Sequence, residues 1–351
     1  MMTYSQRRIH LALAVLALVA TSTTLSAQTT EDLIKQLSGK AEAPARDDTP
    51  LADAYQKAVD YLLPLMSADD IGSRYPHQIT LQDMAAYASR PGAEMERQAL
   101  AKVLVKTLEQ AKMPDAVRHW LVLQLERIGK AESVPLLSKL MAADDMNLRD
   151  YARRALEKNQ DPSATEALLK ELATTKDAAW KVALISAIGN RRAETAVKPL
   201  IQALGDQDTK VAEAAAIALS RIGTQEGIQA LLALLDKPAS PVSVAAALGL
   251  IDVAQAMADR KDTTGAAKLF GALYDRVSKP AYRDLPVGIR AAVAVGVIVC
   301  DPDRGTREIV HLIQDDHPSI RTAVVSGARQ SPSKAPTRSE ERRGGKSVPV
   351  S

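Results

Sequence analysis

Four segments decide the fold when written one beneath another: HWLVLQLERIGK (119–130), RDYARRALEKNQ (149–160), AWKVALISAIGN (179–190) and EAAAIALSRIGT (213–224). Their starts are 30, 30 and 34 residues apart. Apolar or small residues align at Val122, Ala152, Val182 and Ala216, then at Leu125, Ala155, Ile185 and Leu219. A third column holds Ile128, Lys158, Ile188 and Ile222. Steps of three residues put these columns on one helical stripe. The next column is Gly129, Asn159, Gly189 and Gly223. Gly and Asn tolerate the left-handed backbone that ends a helix, so each helix is predicted to stop there.

Shorter apolar segments lie between these helices, headed by Leu136, Leu168, Leu200 and Leu231. Pro135 and Pro199 come early in two of them, where a missing N–H costs little. Each repeat thus reads as helix, turn, helix, turn. One such pair cannot bury its apolar face alone, so neighbours must stack. Composition agrees: hydrophobic residues make up 46% and aromatics only 3%, a helix-forming mixture poor in strand-forming clusters. The predicted fold is all-α, a right-handed α-solenoid of stacked antiparallel helix pairs.

The spacing of about 30 residues, Val134-Pro135-Leu136-Leu137, and Asp145 followed by Leu148-Arg149 resemble bacterial HEAT-repeat proteins. Within these, they are similar to the short PBS lyase HEAT-like type. The resemblance is clear over 114–236. It recurs weakly at 286–330, where Asp315-Asp316-His317-Pro318-Ser319-Ile320-Arg321 restores the Asp…Arg pattern.

The flanks are helical and less regular. Thr49-Pro50 caps a helix with Leu51, Ala54, Tyr55, Ala58, Leu62 and Leu65 on one face. The expected organisation is a signal peptide (1–27), a polar linker (28–48), an irregular helical region (49–113) and HEAT-like repeats (114–258). Further helical repeats with an insertion near Lys279–Pro286 follow (259–330), then a disordered, non-native tail (331–351).

The ends set the compartment. Arg7 and Arg8 precede an apolar run, Ile9 to Ala20, and the small residues Ser26 and Ala27. These are the parts of a secretory signal peptide, and a run of about a dozen residues is short of the roughly 20 that span a bilayer. The expectation is a cut after Ala27, a periplasmic or secreted chain, and no membrane span in its mature form. The tail SPSKAPTRSEERRGGKSVPVS (331–351) has no apolar period and cannot bury enough surface to offset ordering entropy. Its Arg338–Lys346 stretch resembles a translated sequencing adapter, with Gly344 where that translation has Val.

The full chain has 45 Lys+Arg and 42 Asp+Glu, a net of +3. Setting aside Arg7 and Arg8, and the tail's five cations against Glu340 and Glu341, leaves a body of net −2. A mildly acidic body lacks the bulk electrostatic footprint of a nucleic-acid binder. Cys300 is the single cysteine, so no internal disulfide and no Cys-type metal site can form.

No catalytic residue, cofactor or metal is expected. Enzymes with HEAT-type folds that hydroxylate hold metal through His-Glu dipeptides, and none of His10, His77, His119, His311 and His317 precedes a Glu. Gly-rich phosphate loops and Gly-x-Ser-x-Gly elbows are also missing from the sequence. The expected function is a non-catalytic protein–protein interaction scaffold. The alternative is a carbohydrate or small-ligand binding module, and a HEAT-type enzyme is third.

The resemblance places the Gly-terminated helices on the concave side. Arg118, His119, Arg153, Arg154, Arg191 and Arg192 would form a partly basic ridge there, open to an acidic protein partner or polysaccharide. Asp145–Arg149 and Asp177–Lys181 fit the internal Asp–Arg ladder of the family. Trp120 and Trp180, 60 residues apart in one column, serve either as partner anchors or as packing between repeats.

Overall fold

Helix starts, rather than helix ends, set the register of the repeats. One helix of each successive pair begins after Pro114, Asp145, Asp177, Asp208 and Ser240, which are 31, 32, 31 and 32 residues apart. Asp145, Asp177 and Asp208 each accept hydrogen bonds from two first-turn N–H groups, satisfying donors that the helix itself leaves unpaired. The same spacing returns at Pro286 and His317, again 31 apart.

The structure is a computed structural model that describes residues 29–40, 48–110, 112–282 and 285–331. The signal peptide and all of the tail beyond Ser331 lie outside the described residues. All regular structure among those described is helical, and the chain divides into two compact units between Thr174 and Thr175. This boundary differs from the expected breaks at 113/114 and 258/259.

In the first unit, one layer is α1 (Thr30–Leu37), α3 (Ile71–Ala88), α5 (Asp115–Ile128) and α7 (Met146–Lys158). Against it lie α2 (Asp48–Met66), α4 (Glu94–Gln110), α6 (Val134–Leu140) and α8 (Pro162–Thr174). In the second unit, α9 (Ala178–Arg191), α11 (Thr209–Ile222), α13 (Pro241–Asp259), α15 (Val287–Cys300) and α17 (Pro318–Gln330) form one layer. The other is α10 (Val197–Ala203), α12 (Gln225–Leu234), α14 (Thr263–Val277) and α16 (Pro302–Leu312). Each unit is therefore a stack of helix pairs, the construction of an α-solenoid. Leu121, Leu125, Leu184, Ile185 and Leu219 are fully or almost fully buried, each stabilising its stack by about 1.5–3 kcal/mol.

The cap register corrects the sequence alignment. Counted from the cap, residue 3 of α5, α7, α9, α11, α13, α15 and α17 is Val117, Leu148, Trp180, Val211, Ser243, Ile289 and Ile320, and all seven are buried. Trp120 is residue 6, so it shares no column with Trp180. The predicted stop column fails in the same way. Gly129 and Asn159 are extended at φ −70° and −63°, and Gly189 lies inside α9, which ends at the left-handed Arg192 (φ 53°). Only Gly223, at φ 73°, uses the left-handed backbone. Gly189 is required for space, since a Cβ there would sit 2.8 Å from Ala218 Cα.

The stretch expected as a linker contains α1. Thr29 caps it, and Ile34 and Leu37, three apart on one face, are buried. Eight residues hold too little periodic signal to stand out from a polar surround. The face predicted on α2 is buried at Leu51, Tyr55, Ala58 and Leu62, with Met66 rather than Leu65 completing it. The expected insertion is a 3-10 turn, Pro280–Tyr282, whose Tyr282 is 1% exposed and donates its hydroxyl to Leu234 O and Lys237 O. Helix α13 is long and apolar enough to cross a bilayer by length and composition alone. In the fold it packs against α11, α12, α14 and α15.

Candidate interaction surfaces

The expected basic ridge is largely neutralised within the fold. Arg153 is bound on α7 by Asp150 and Glu157, both at 2.8 Å. Arg154 and Lys158 converge on Glu126 of α5, tying adjacent repeats. His119 Nε2 lies 2.5 Å from Asp145 Oδ2, and this bond, with those from Leu148 N and Asn147 N, holds the Asp145 carboxyl below its ordinary range. Arg191, the last residue of α9, is half-buried, and Arg192 is exposed. Among the described residues, Arg118 and Arg192 are the only two candidates of the ridge that enter neither a hydrogen bond nor an ion pair through their side chains. A cation spent on a neighbouring carboxylate offers a partner little.

Neither tryptophan presents an open face. Trp180 is 8% exposed, because it occupies the buried third position that Val, Leu and Ile fill in other repeats. Trp120 is half-buried and donates its indole N–H to Gln78 O of α3 at 2.9 Å.

The Asp–Arg ladder takes a different form from that expected. Lys181 pairs with Asp206 at 2.7 Å rather than with Asp177, and the Lys181 hydrogen bond holds the Asp206 carboxyl below its ordinary range. Asp177 instead caps α9. Arg149 Nε donates to Met141 O, and Arg321 donates to Asp315 O and Asp316 O. These basic residues share position 4 from the cap; Arg149 and Arg321 reach back to the preceding turn and Lys181 forward to the turn that leads into α11. Arg118 and Arg290 hold the same position, yet each has a buried Nε without an acceptor. The signal for this column was present in the sequence, as a cap residue followed four later by Arg or Lys.

Position 6 separates the units. It is Trp120 on α5 and Tyr151 on α7 in the first unit. In the second it is alanine on every layer helix: Ala183, Ala214, Ala246, Ala292 and Ala323. Beside the position-6 alanines of α15 and α17, Ala292 and Ala323, an apolar groove of about 440 Å³ opens, with the C-terminal part of α13 on its other side. Its floor includes Phe270, Ala292, Val295, Val299 and Ala323, and Gln255, Asp259 and Gln330 form its polar rim. Leu248 on α13 and Val325 on α17 are also exposed, at 49% and 40%. Cys300 lines the groove too, and burial pushes its thiol up, away from the reactive thiolate. No group of three or more His, Cys, Asp or Glu that could hold a metal occurs among the described residues.

Residues 101–180 and 165–251 match the HEAT repeats family, so the stretch 101–251 consists of HEAT repeats. No curated protein matches the chain. Among solved structures, the chain is similar to an engineered protein at 20% identity and TM-score 0.37, covering 86% of this chain and 88% of that one. It is similar to the CpcE–CpcF complex of phycocyanin lyase from Nostoc sp. PCC7120 at 17% identity and TM-score 0.34, covering 72% and 97%. Human deoxyhypusine hydroxylase is similar at 15% identity and TM-score 0.29, covering 80% and 98%.

Proposed function

We propose that this chain, with HEAT repeats over 101–251, is a non-catalytic protein-interaction scaffold exported to the periplasm or beyond, with its signal peptide cut after Ala27. The apolar groove on α13, α15 and α17 carries the reading. Contiguous exposed apolar surface with a polar rim is characteristic of protein docking sites. A partner that lays a narrow apolar ridge into the groove and polar groups against Gln255, Asp259 and Gln330 fits this chemistry. The groove replaces the basic ridge as the favoured surface, since Arg153 and Arg154 are spent on internal carboxylates.

Ala292→Trp tests the groove. It places at position 6 the side chain that the first unit already carries there, at a site exposed enough to accept it. The full chain, expressed in a Gram-negative host, should capture extracytoplasmic proteins that the variant does not. Equal capture by both would sink the groove as the docking surface. Export is read separately, from the mass of the chain recovered outside the cytoplasm. A mass that retains residues 1–27 would contradict it.

A further inference from the structure

Arg290 is the one charged member of the position-4 column in the second unit that meets no partner among the described residues. Lys181 has Asp206 and Arg321 has Asp315 O and Asp316 O. The Arg290 guanidinium makes no hydrogen bond or ion pair among the described residues, and its Nε is buried. Leaving a buried charged donor without an acceptor is costly, and native folds rarely do so without a reason.

Arg290 lines a cleft of about 290 Å³, near the lower limit of small-ligand sites. Tyr274, Pro280 and Leu312 give the cleft its accessible apolar surface, and Ser278, Lys279, His311 and Asp315 line it with polar groups. Lys279 and Asp315 are partly committed. Asp315 Oδ1 accepts from His317 N at 2.8 Å, and Lys279 lies 3.4 Å from Asp236. Arg290 is therefore the one Lys or Arg of the lining that has no partner among the described residues.

We propose that this cleft binds a small organic monocarboxylate, its two oxygens on the Arg290 fork and its apolar body against Tyr274, Pro280 and Leu312. The guanidinium fork matches a carboxylate with two parallel hydrogen bonds. A dianion would face Asp315 with only one free positive charge to balance it. The inference does not depend on the scaffold reading, because it concerns different residues and a different class of ligand.

Benzoate is the probe, with inorganic phosphate as its rival. The Nε–Hε NMR signal of Arg290 in the full chain is identified by its loss in Arg290→Gln. Benzoate should move that signal saturably with a Kd at or below about 1 mM, while phosphate does not. Arg290→Gln should abolish benzoate binding by calorimetry, and Arg307→Gln, an exposed arginine outside the cleft, should leave it unchanged. Should the Gln variant not fold, Arg290→Lys serves, since it keeps the charge without the fork and should weaken binding about tenfold. An unmoved signal at about 10 mM benzoate, tighter binding of phosphate, or benzoate affinity unaffected by Arg290→Lys would each overturn the proposal.

Discussion

The interior of residues 29–174 holds Gln78, Arg97, Thr107, Gln124, Ser133, Asn159 and Thr165, whereas the interior of 175–331 holds Ser243 as its one buried polar residue among those described. In the first unit, Arg97, Ser133 and Asn159 bridge repeats. Arg97 of α4 donates to Ile128 O at the end of α5 and pairs with Glu132 at 2.5 Å. Asn159 donates to Lys130 O and to Ser133 Oγ. The second unit brings helices together by removing side chains. A Cβ on Gly189 would meet Ala218, one on Gly249 would meet Ser220 Oγ at 2.6 Å, and one on Gly296 would meet the Phe270 ring at 2.2 Å. The glycines of the first unit lie in loops or at helix ends.

The same repeat is thus stacked in two ways. Buried polar bridges fix one geometry, because a shifted partner leaves a donor or acceptor unpaired. Small-residue contacts allow close approach and leave open surface beside them, which is where the groove lies. The two tryptophans make the contrast measurable, with Trp120 in one unit and Trp180 in the other. Trp120→Phe and Trp180→Phe backgrounds each leave one reporter.

The largest effect is expected from Arg97→Ala. It strands Glu132, whose side chain is 12% exposed, and breaking a buried pair costs about 3–5 kcal/mol. The urea midpoint followed by Trp120 should fall well below that followed by Trp180. Equal shifts would mean that the polar bridges do not set the stability of the first unit in particular.

Gly189→Val should act in the opposite unit. Forcing a branched side chain against Ala218 costs about 1–3 kcal/mol of overpacking, and the Trp180 transition should move further than the Trp120 transition. No change at either reporter would show that α9 and α11 can separate freely, against the close crossing described.

Acid should separate the units by a smaller margin. Burial pushes the Glu132 carboxyl up, but hydrogen bonds from Arg97 and from the backbone outweigh it and hold it below its ordinary range. Glu94 is held down to about 2, chiefly by Arg97 and then Lys130, though its exposure leaves it solvent-screened. A carboxyl with a depressed folded-state pKa contributes its stability above the unfolded value and loses it as pH falls through the folded one. The first unit should therefore weaken below about pH 4, before the second, and Glu132→Gln should flatten that dependence. An acid profile identical in wild type and variant would remove Glu132 from the account.

The smallest change expected is a gain. Arg192 is held at φ 53°, and glycine accepts that backbone without strain, so Arg192→Gly should stabilise the second unit by up to about 1 kcal/mol. A lower midpoint at Trp180 would instead assign the Arg192 side chain a stabilising contact.

Much of the fold was readable because helix periodicity and the need of each pair to bury one face are local properties. The apolar columns through Leu125, Ala155, Ile185 and Leu219 are buried as expected. The register was misread by aligning on Gly189, whose role is a close approach to another helix. Such a contact leaves no mark in the sequence around it. The caps Asp145, Asp177 and Asp208 were the better guide, since capping is decided within one turn. The candidate site was less legible. Arg153 and Arg154 look free in sequence, and only the packing of α7 on α5 brings Arg154 and Lys158 to Glu126.

By itself, the sequence determined the helical class, the repeat and its approximate period, because each follows from contacts within one or two turns. Tertiary structure alone decided that Trp180 is buried, that the basic ridge is largely spent on internal carboxylates, and that Ala292 and Ala323 line an open groove while Ala214 and Ala246 are buried. Those outcomes depend on which side chains meet across helices some 30 residues apart, and pairing at that distance is fixed by packing.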